Sequence, residues 1–211
     1  SGASMTVDNG DSLEIVGQNA GANRTAITRQ SSGNFGLTVS GTINAQYYDF
    51  DYLNDSGLNI TGTATVTELS DGTFDNNAAG ATSSYITVTG ITSSQNFFRN
   101  VFDDNADGTD ADVDYNVNAD GGNIRWTFFD WSGNKAGESY DQEANGAIVS
   151  WQSDLSLSVS SNTLNLGVVN PLVVRSASHT ISVTTNAANG YTCRAAEDGN
   201  LRNGTDDIND V

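Results

Sequence analysis

Asp103, Asn105 and Asp107 stand at alternate positions of an acidic stretch. Gly108 follows at once, and Asp114 closes the stretch six residues later. This is the D-x-[DN]-x-[DN]-G-x5-[DE] spacing of a calcium loop, with Asp in place of the usual closing Glu. A hard divalent cation takes six to eight oxygen ligands, and alternate residues of a tightly turning chain bring their carboxylates to one point. Without a cation, the seven carboxylates between positions 103 and 120 would repel one another. The expected ligands are Asp103, Asn105, Asp107, Thr109 through its carbonyl, and Asp114, with Asp110 or Asp112 as substitutes. The shorter arm of Asp at the closing position points to weak binding, roughly 10⁻⁴ to 10⁻³ M, as in extracellular modules.

The flanks of this loop do not read as an EF-hand. Residues 96–102 could form a short helix, but Val113 to Val117 read as strand. Elsewhere too the pattern is of strands. Phe35 to Asn44 alternates apolar with small polar residues, and Leu58, Ile60, Ala64 and Val66 set an apolar face against a row of threonines. Tyr85 to Thr92, Ile124 to Phe129, Ala147 to Trp151, Leu155 to Val159, Leu164 to Val168, Thr180 to Val183 and Tyr191 to Ala195 add further candidates. Neighbouring side chains of a strand leave opposite faces of its sheet, so such alternation marks half-buried strands. Gly, Asn, Asp and Ser bound these runs, as turn geometry favours. Short, numerous strands of this kind predict an all-β chain, an antiparallel β-sandwich of Ig-like type.

The texture changes near residues 144–154. The expected organisation is an N-terminal arm or edge strands over 1–30, an aromatic-rich sandwich carrying the calcium loop over 31–150, and a partial Ig-like module over 151–211. That last segment holds too few strands for a full sandwich of about seven.

Charge narrows the function classes. The chain carries 26 acids against 8 bases, a formal charge of −18, and Lys135 is its only lysine. No basic patch exists to displace phosphate counterions, so nucleic acid is excluded as a partner. Membrane insertion is not expected, since no apolar run approaches the ~20 residues that cross a bilayer. Acidic surfaces suit divalent cations and extracellular settings. Cys193 is alone and makes no intrachain disulfide, and it reads as a small buried residue of a strand or as a link between subunits.

Catalytic residues are hard to find. His179 is the only histidine, so a three-histidine zinc site cannot form, and neither a nucleophile elbow nor a phosphate loop occurs. The chain is therefore not expected to be an enzyme. Trp126, Trp131 and Trp151, with Tyr47, Tyr48 and Tyr52, would make a sugar-stacking platform if exposed. Trp126 alternates with Phe128 and reads as core, which leaves Trp131 as the glycan candidate. The threonines at 61, 63, 65 and 67 would suit a flat ice-binding face, although threonine is simply a good strand former.

Two pieces resemble known families. Asp130-Trp131-Ser132-Gly133-Asn134-Lys135-Ala136 resembles the D-x-x-G-N-x-[AS] turn of bacterial Ig-like repeats. Leu164-Asn165-Leu166-Gly167 and the stretch Ala177 to Thr192, with Thr185-Asn186-Ala187 and Gly190-Tyr191-Thr192, are similar to modules of bacterial cell-surface proteins. Together they cover about a third of the chain and carry no catalytic residues. The resemblance implies secretion, β-sandwich modules and a structural or adhesive role. The expectation is a calcium-stabilised structural subunit of a cell-surface filament, pilus-like fibre or surface layer, self-associating by strand exchange. The alternative is a glycan-binding module of a larger secreted protein.

Overall fold

The computed structural model describes residues 2–19, 23–80, 82–90, 93–103, 113–120, 125–143, 148–152 and 155–163, and beyond them 165, 167–168, 170, 172–173, 176–185, 191–194, 201–203 and 206–208. Among these residues the chain is all-β, with one 3₁₀ turn at Glu138–Tyr140. Its sheets, however, are mostly parallel.

The chain winds through three faces and returns to each. The first circuit consists of β1 (Ser4–Val7), β2 (Ser12–Val16) and β3 (Thr25–Ile27). The second is β4 (Phe35–Val39), β5 (Thr42–Gln46) and β6 (Tyr48–Asp51). The third is β7 (Leu53–Ile60), β8 (Thr65–Ser70) and β9 (Thr73–Asp75). The fourth is β10 (Ser84–Thr89), β11 (Gln95–Phe98) and β12 (Val101–Phe102). β13 (Tyr115–Asp120) and β14 (Trp126–Phe129) begin a fifth, whose third side touches Val101 through a parallel bridge at Ser132. β15 (Gln142–Glu143) and β16 (Val149–Gln152) lie on top.

Strands of successive circuits pair side by side. One face has the order β1-β4-β7-β10-β13-β15, and another has β12-β9-β6-β3. The remaining face has β2-β5-β8 and β11-β14-β16, joined where the Asp71 amide donates to the Phe98 carbonyl at 2.8 Å. This is a parallel β-solenoid, in which each rung is stabilised by its neighbours. The expected antiparallel sandwich does not describe residues 4–152. Alternation identifies a strand with one buried face, but it is the same for parallel and antiparallel partners.

Alternation becomes stacking. Inward residues form columns that climb the solenoid: Val7, Val39 and Ile60 on the first face, and Ile27, Phe50, Phe74 and Phe102 on the third. On the second face Phe97, Phe128 and Trp151 align. The rings stack as the rungs do. Phe74 and Phe102 lie 5.2 Å apart and nearly coplanar in orientation, and Phe128 and Trp151 are 4.5 Å apart. Offset stacking adds about 0.5–1.5 kcal/mol per pair to the burial itself.

The corners are equally regular. Tyr47, Asp71, Arg99 and Asp130 turn the chain from the second face to the third, and all four are left-handed, with φ of 52, 58, 54 and 53°. Their amides link the rungs: Tyr47 to the Ser70 carbonyl at 3.3 Å and Arg99 to that of Phe129 at 2.9 Å. Left-handed non-glycine residues cost roughly 1–2 kcal/mol each, and this repeated ladder offsets that cost. Arg99 also grips the buried Asp71 carboxylate with Nε and Nη2, the latter at 2.8 Å. That contact raises the Arg99 pKa further.

One irregularity lies between β7 and β10. They meet through a single bridge of antiparallel pattern, Ile86 opposite Gly57. Gly57 has φ +58°, and a Cβ there would strike the Ser84 and Tyr85 carbonyls. The break is local, because β9 and β12 run parallel across the same step.

Several expected elements change. Residues 96–102, read as a short helix, instead supply β11 and β12. The N-terminal segment, read as an arm or edge strands, supplies β1, β2 and β3, strands that stand at the ends of their sheets and pair with the second circuit. Beyond 152 the pattern differs: β17 (Leu155–Val159) and β18 (Ile181–Thr185) form an antiparallel hairpin, as do β19 (Leu201–Asn203) and β20 (Asp206–Ile208). The described residues of 164–168 and 191–194 are not strands. Cys193 lies exposed outside any strand rather than buried within one.

Candidate functional site

The two ends of the stretch expected to be a calcium loop, Asp103 and Asp114, are held on the solenoid. The Asp103 amide donates to the Phe74 carbonyl at 3.1 Å, and the Asp103 carbonyl accepts from the Tyr85 hydroxyl at 2.7 Å. At the other end, the Asp114 amide donates to Ser83 Oγ at 3.1 Å. Asn105, Asp107, Gly108, Thr109, Asp110 and Asp112 lie outside the described residues. The two stems are anchored on Phe74 of the third circuit and on Ser83 and Tyr85 at the start of the fourth.

A second acidic group sits on the last circuit. Glu138 on the 3₁₀ turn, Asp141 after it and Glu143 on β15 each offer a carboxylate oxygen within 4.8 Å of the others. Glu143 Oε2 accepts the Ile148 and Val149 amides, at 2.6 and 2.8 Å, and so pins the chain to β16. Asp141 Oδ2 accepts from the Trp151 indole at 2.8 Å. Burial pushes the Asp141 pKa up from 3.8 to about 6. The Trp151 hydrogen bond works against that, while Glu138 and Glu143 add to it. Three hard oxygen donors at this spacing suit a divalent cation of the magnesium and calcium class. This group follows no loop spacing in the sequence, since a turn and a strand bring it together.

The aromatic candidates are used mainly inside. Trp126 is buried, its indole donating to the Ser93 carbonyl at 3.3 Å. Tyr48 is fully buried, and burial raises its hydroxyl pKa well above the ordinary value. Trp131 is half-buried, edge-on to Trp151 at 5.7 Å, with Gly137 against its ring. Tyr47 and Tyr52 are half-buried corner residues. An outward pair, Phe98 and Phe129, stacks at 5.2 Å, and Phe98 is 37% exposed. Period-two alternation from Trp126 and Phe128 puts Phe129 on the outer face, whereas Phe98 lies in the stretch expected to be a short helix.

The threonine row does not stay flat. Thr61 and Thr63 turn a corner and bond to Ser40, at 2.9 Å to its Oγ and 3.0 Å to its carbonyl, while Thr65 and Thr67 are exposed on β8. His179 is exposed ahead of β18. Among the described residues no helix is long and apolar enough to cross a membrane. No protein-family model, curated protein or solved structure matches this chain.

Proposed function

We propose that the protein is a secreted, calcium-stabilised structural subunit of a cell-surface assembly, in which the solenoid is the rigid body and the C-terminal segment makes contacts between subunits. The observation that carries this reading is the β17–β18 hairpin. Its register places Leu157 opposite Val183 and Val159 opposite Ile181, so one side is apolar and the other is Ser and Thr. Leu155, Leu157, Val159 and Ile181 are exposed by 68, 64, 45 and 44%. A two-stranded hairpin is marginal in water alone, and three or more strands with a covered face are needed. A strand or sheet from a second subunit meets that need by β-addition. The antiparallel pairing here also fits the β-module expected over residues 151–211.

The calcium loop supports the same reading, since a cation clamps the two stems against the fourth circuit. The acid excess keeps such a subunit soluble until calcium is present. Sedimentation velocity and negative-stain images at high protein concentration with calcium test the proposal. Filaments or oligomers that Leu157→Asp disperses are expected. A wild-type protein that stays monomeric throughout would overturn it.

A second reading, a glycan-binding surface, is favoured by the outward Phe98–Phe129 pair, with Trp131 on the neighbouring corner. Glycan-array binding lost in Phe98→Ala or Trp131→Ala, without any self-association, would support that reading over the first.

A further inference from the structure

Three inward columns of the solenoid are open at its first circuit. Met5 shares a column with Leu37, Leu13 with Ile43, and Ile27 with Phe50. The second-circuit members are buried, Leu37 at 1% exposure, but Met5 is 39% exposed, and Leu13 and Ile27 are only half-buried. β1, β2 and β3 each end their sheet among the described residues, so each keeps an unpaired edge. An unpaired edge is a template for another strand, and the end of a solenoid needs a cover for its core.

The cover must also suit the charge. The chain carries −18, so two copies repel unless opposite signs meet. At the first circuit the positive group is Arg29, on the corner between β3 and β4. Its guanidinium carbon lies 3.3 Å from the centre of the Tyr52 ring on the next circuit. Ion pairs among the described residues are Arg24–Asp49 and Arg99–Asp71, and Arg29 belongs to neither. Stacked from one side, a guanidinium keeps its N–H edge for an acceptor. A cleft of about 800 Å³ opens beside it, between residues 28–35 and the β1 residues Ser4 and Met5.

The last circuit offers the complement at the same corner. Glu138–Tyr140 leads from the third face to β15 on the first, and all three of its residues are exposed. The Asp141 and Glu143 carboxylates beside it are engaged by the Trp151 indole and by two amides, whereas Glu138 is in no ion pair of the described residues. The acids of the first circuit, Asp8, Asp11 and Glu14, lie on β2 and the corner before it, away from Arg29. The exposed Arg125 stands at that other corner of the fifth circuit.

We propose that a second copy of this chain covers the first circuit head to tail, its Glu138–Tyr140 turn seated in the cleft and its Glu138 carboxylate on the Arg29 guanidinium. A planar guanidinium matches a carboxylate with two parallel hydrogen bonds. Pairing at both ends of the solenoid is parallel, so β15 and β16 of one copy run on as neighbours of β1 and β2 of the next. Such a contact is heterologous, and where its rotation does not close it builds a filament. The inference rests on the self-assembly reading and adds to it a contact separate from the hairpin.

The test is sedimentation velocity of the whole chain with calcium, comparing wild type, Arg29→Glu, Glu138→Arg and an equimolar mixture of the two variants. Each reversal sets like charges against one another in the contact and should weaken self-association about tenfold. The mixture restores opposite signs at every contact and should recover wild-type association, which a merely structural loss would not do. Leu157→Asp separates this contact from the hairpin. Association that falls with Leu157→Asp but ignores both charge reversals overturns the head-to-tail contact and keeps the hairpin. The converse keeps this contact and overturns the hairpin. Circular dichroism and the thermal midpoint report whether each variant folds. If Arg29→Glu does not fold, Glu138→Arg, on an exposed turn, decides by itself. A wild-type chain that is monomeric at every concentration, or a mixture of folded variants no better than its components, also overturns the proposal.

Discussion

The ring of Tyr48 lies directly over the α-carbon of Gly72, one rung further along the solenoid. A methyl group on Gly72 would overlap the Tyr48 ring atoms, and neither partner can retreat, because Tyr48 is fully buried. Gly72→Ala is therefore an overpacking substitution, expected to cost about 1–3 kcal/mol. For a chain of this size that lowers the thermal midpoint by roughly 2–4 °C per kcal/mol. Calorimetry of the variant checks this. An unchanged midpoint would mean that the two rungs are not stacked as described.

The Tyr48 hydroxyl reaches one rung beyond, donating to Asn100 Oδ1 at 2.9 Å. That oxygen also accepts the Gly72 amide at 3.2 Å, and Asn100 Nδ2 donates to the Leu69 carbonyl at 2.8 Å. One buried asparagine thus satisfies three groups of two circuits. Asn100→Ala leaves them without partners inside the core, at about 1–3 kcal/mol for each unmet group. Tyr48→Phe removes only one bond and is expected to cost about 1 kcal/mol. Urea unfolding of both variants should rank Asn100→Ala well below Tyr48→Phe. A reversed order would place the network elsewhere.

Much of this fold was legible, but not its topology. Phe50, Phe74 and Phe102 each sit in alternating runs, so their burial follows from pattern alone. That they stack as one column does not, because they recur at unequal intervals and no repeat is visible. Side-chain period is two in any sheet, and the corners that set parallel return are single left-handed residues such as Tyr47 and Arg99, which have no turn signature. The expected calcium spacing was readable because it matches a defined loop pattern. Glu138, Asp141 and Glu143 lie closer still in sequence but follow no such pattern, and only the 3₁₀ turn leading into β15 brings their carboxylates together.

The half-buried Asp141 makes stability depend on pH. Its pKa is about 6 in the folded chain against an ordinary 3.8. Below pH 3.8 the carboxyl is protonated in both states, and its full contribution is present. As pH rises toward about 6 the unfolded chain ionises while the folded one resists, so stability falls. Above that the penalty is constant. After allowance for solvent screening of a half-buried group it amounts to about 1–2 kcal/mol. Asp141→Asn keeps an acceptor for the Trp151 indole and removes the charge. Measured with chelator present, it should raise the midpoint above pH 6 and flatten the slope between pH 4 and 6. If the variant keeps the wild-type slope, Asp141 is not the group responsible.

Calcium should act on the same molecule in the opposite sense, and the two acidic groups can be told apart. Ligand at about 100-fold excess over the dissociation constant adds about 2.7 kcal/mol to a folded state that alone binds it. At roughly 2–4 °C per kcal/mol the midpoint should rise by about 5–11 °C with calcium and fall back with chelator. The stems held by Phe74, Tyr85 and Ser83 give the loop a fixed base from which to close. Asp107→Ala removes a central ligand and should abolish the response, while Asp141→Asn should leave it intact. If instead the response survives Asp107→Ala and disappears in Asp141→Asn, the cation sits among Glu138, Asp141 and Glu143. In that case its affinity must fall as pH drops through about 6, because a proton then competes with the ion for Asp141.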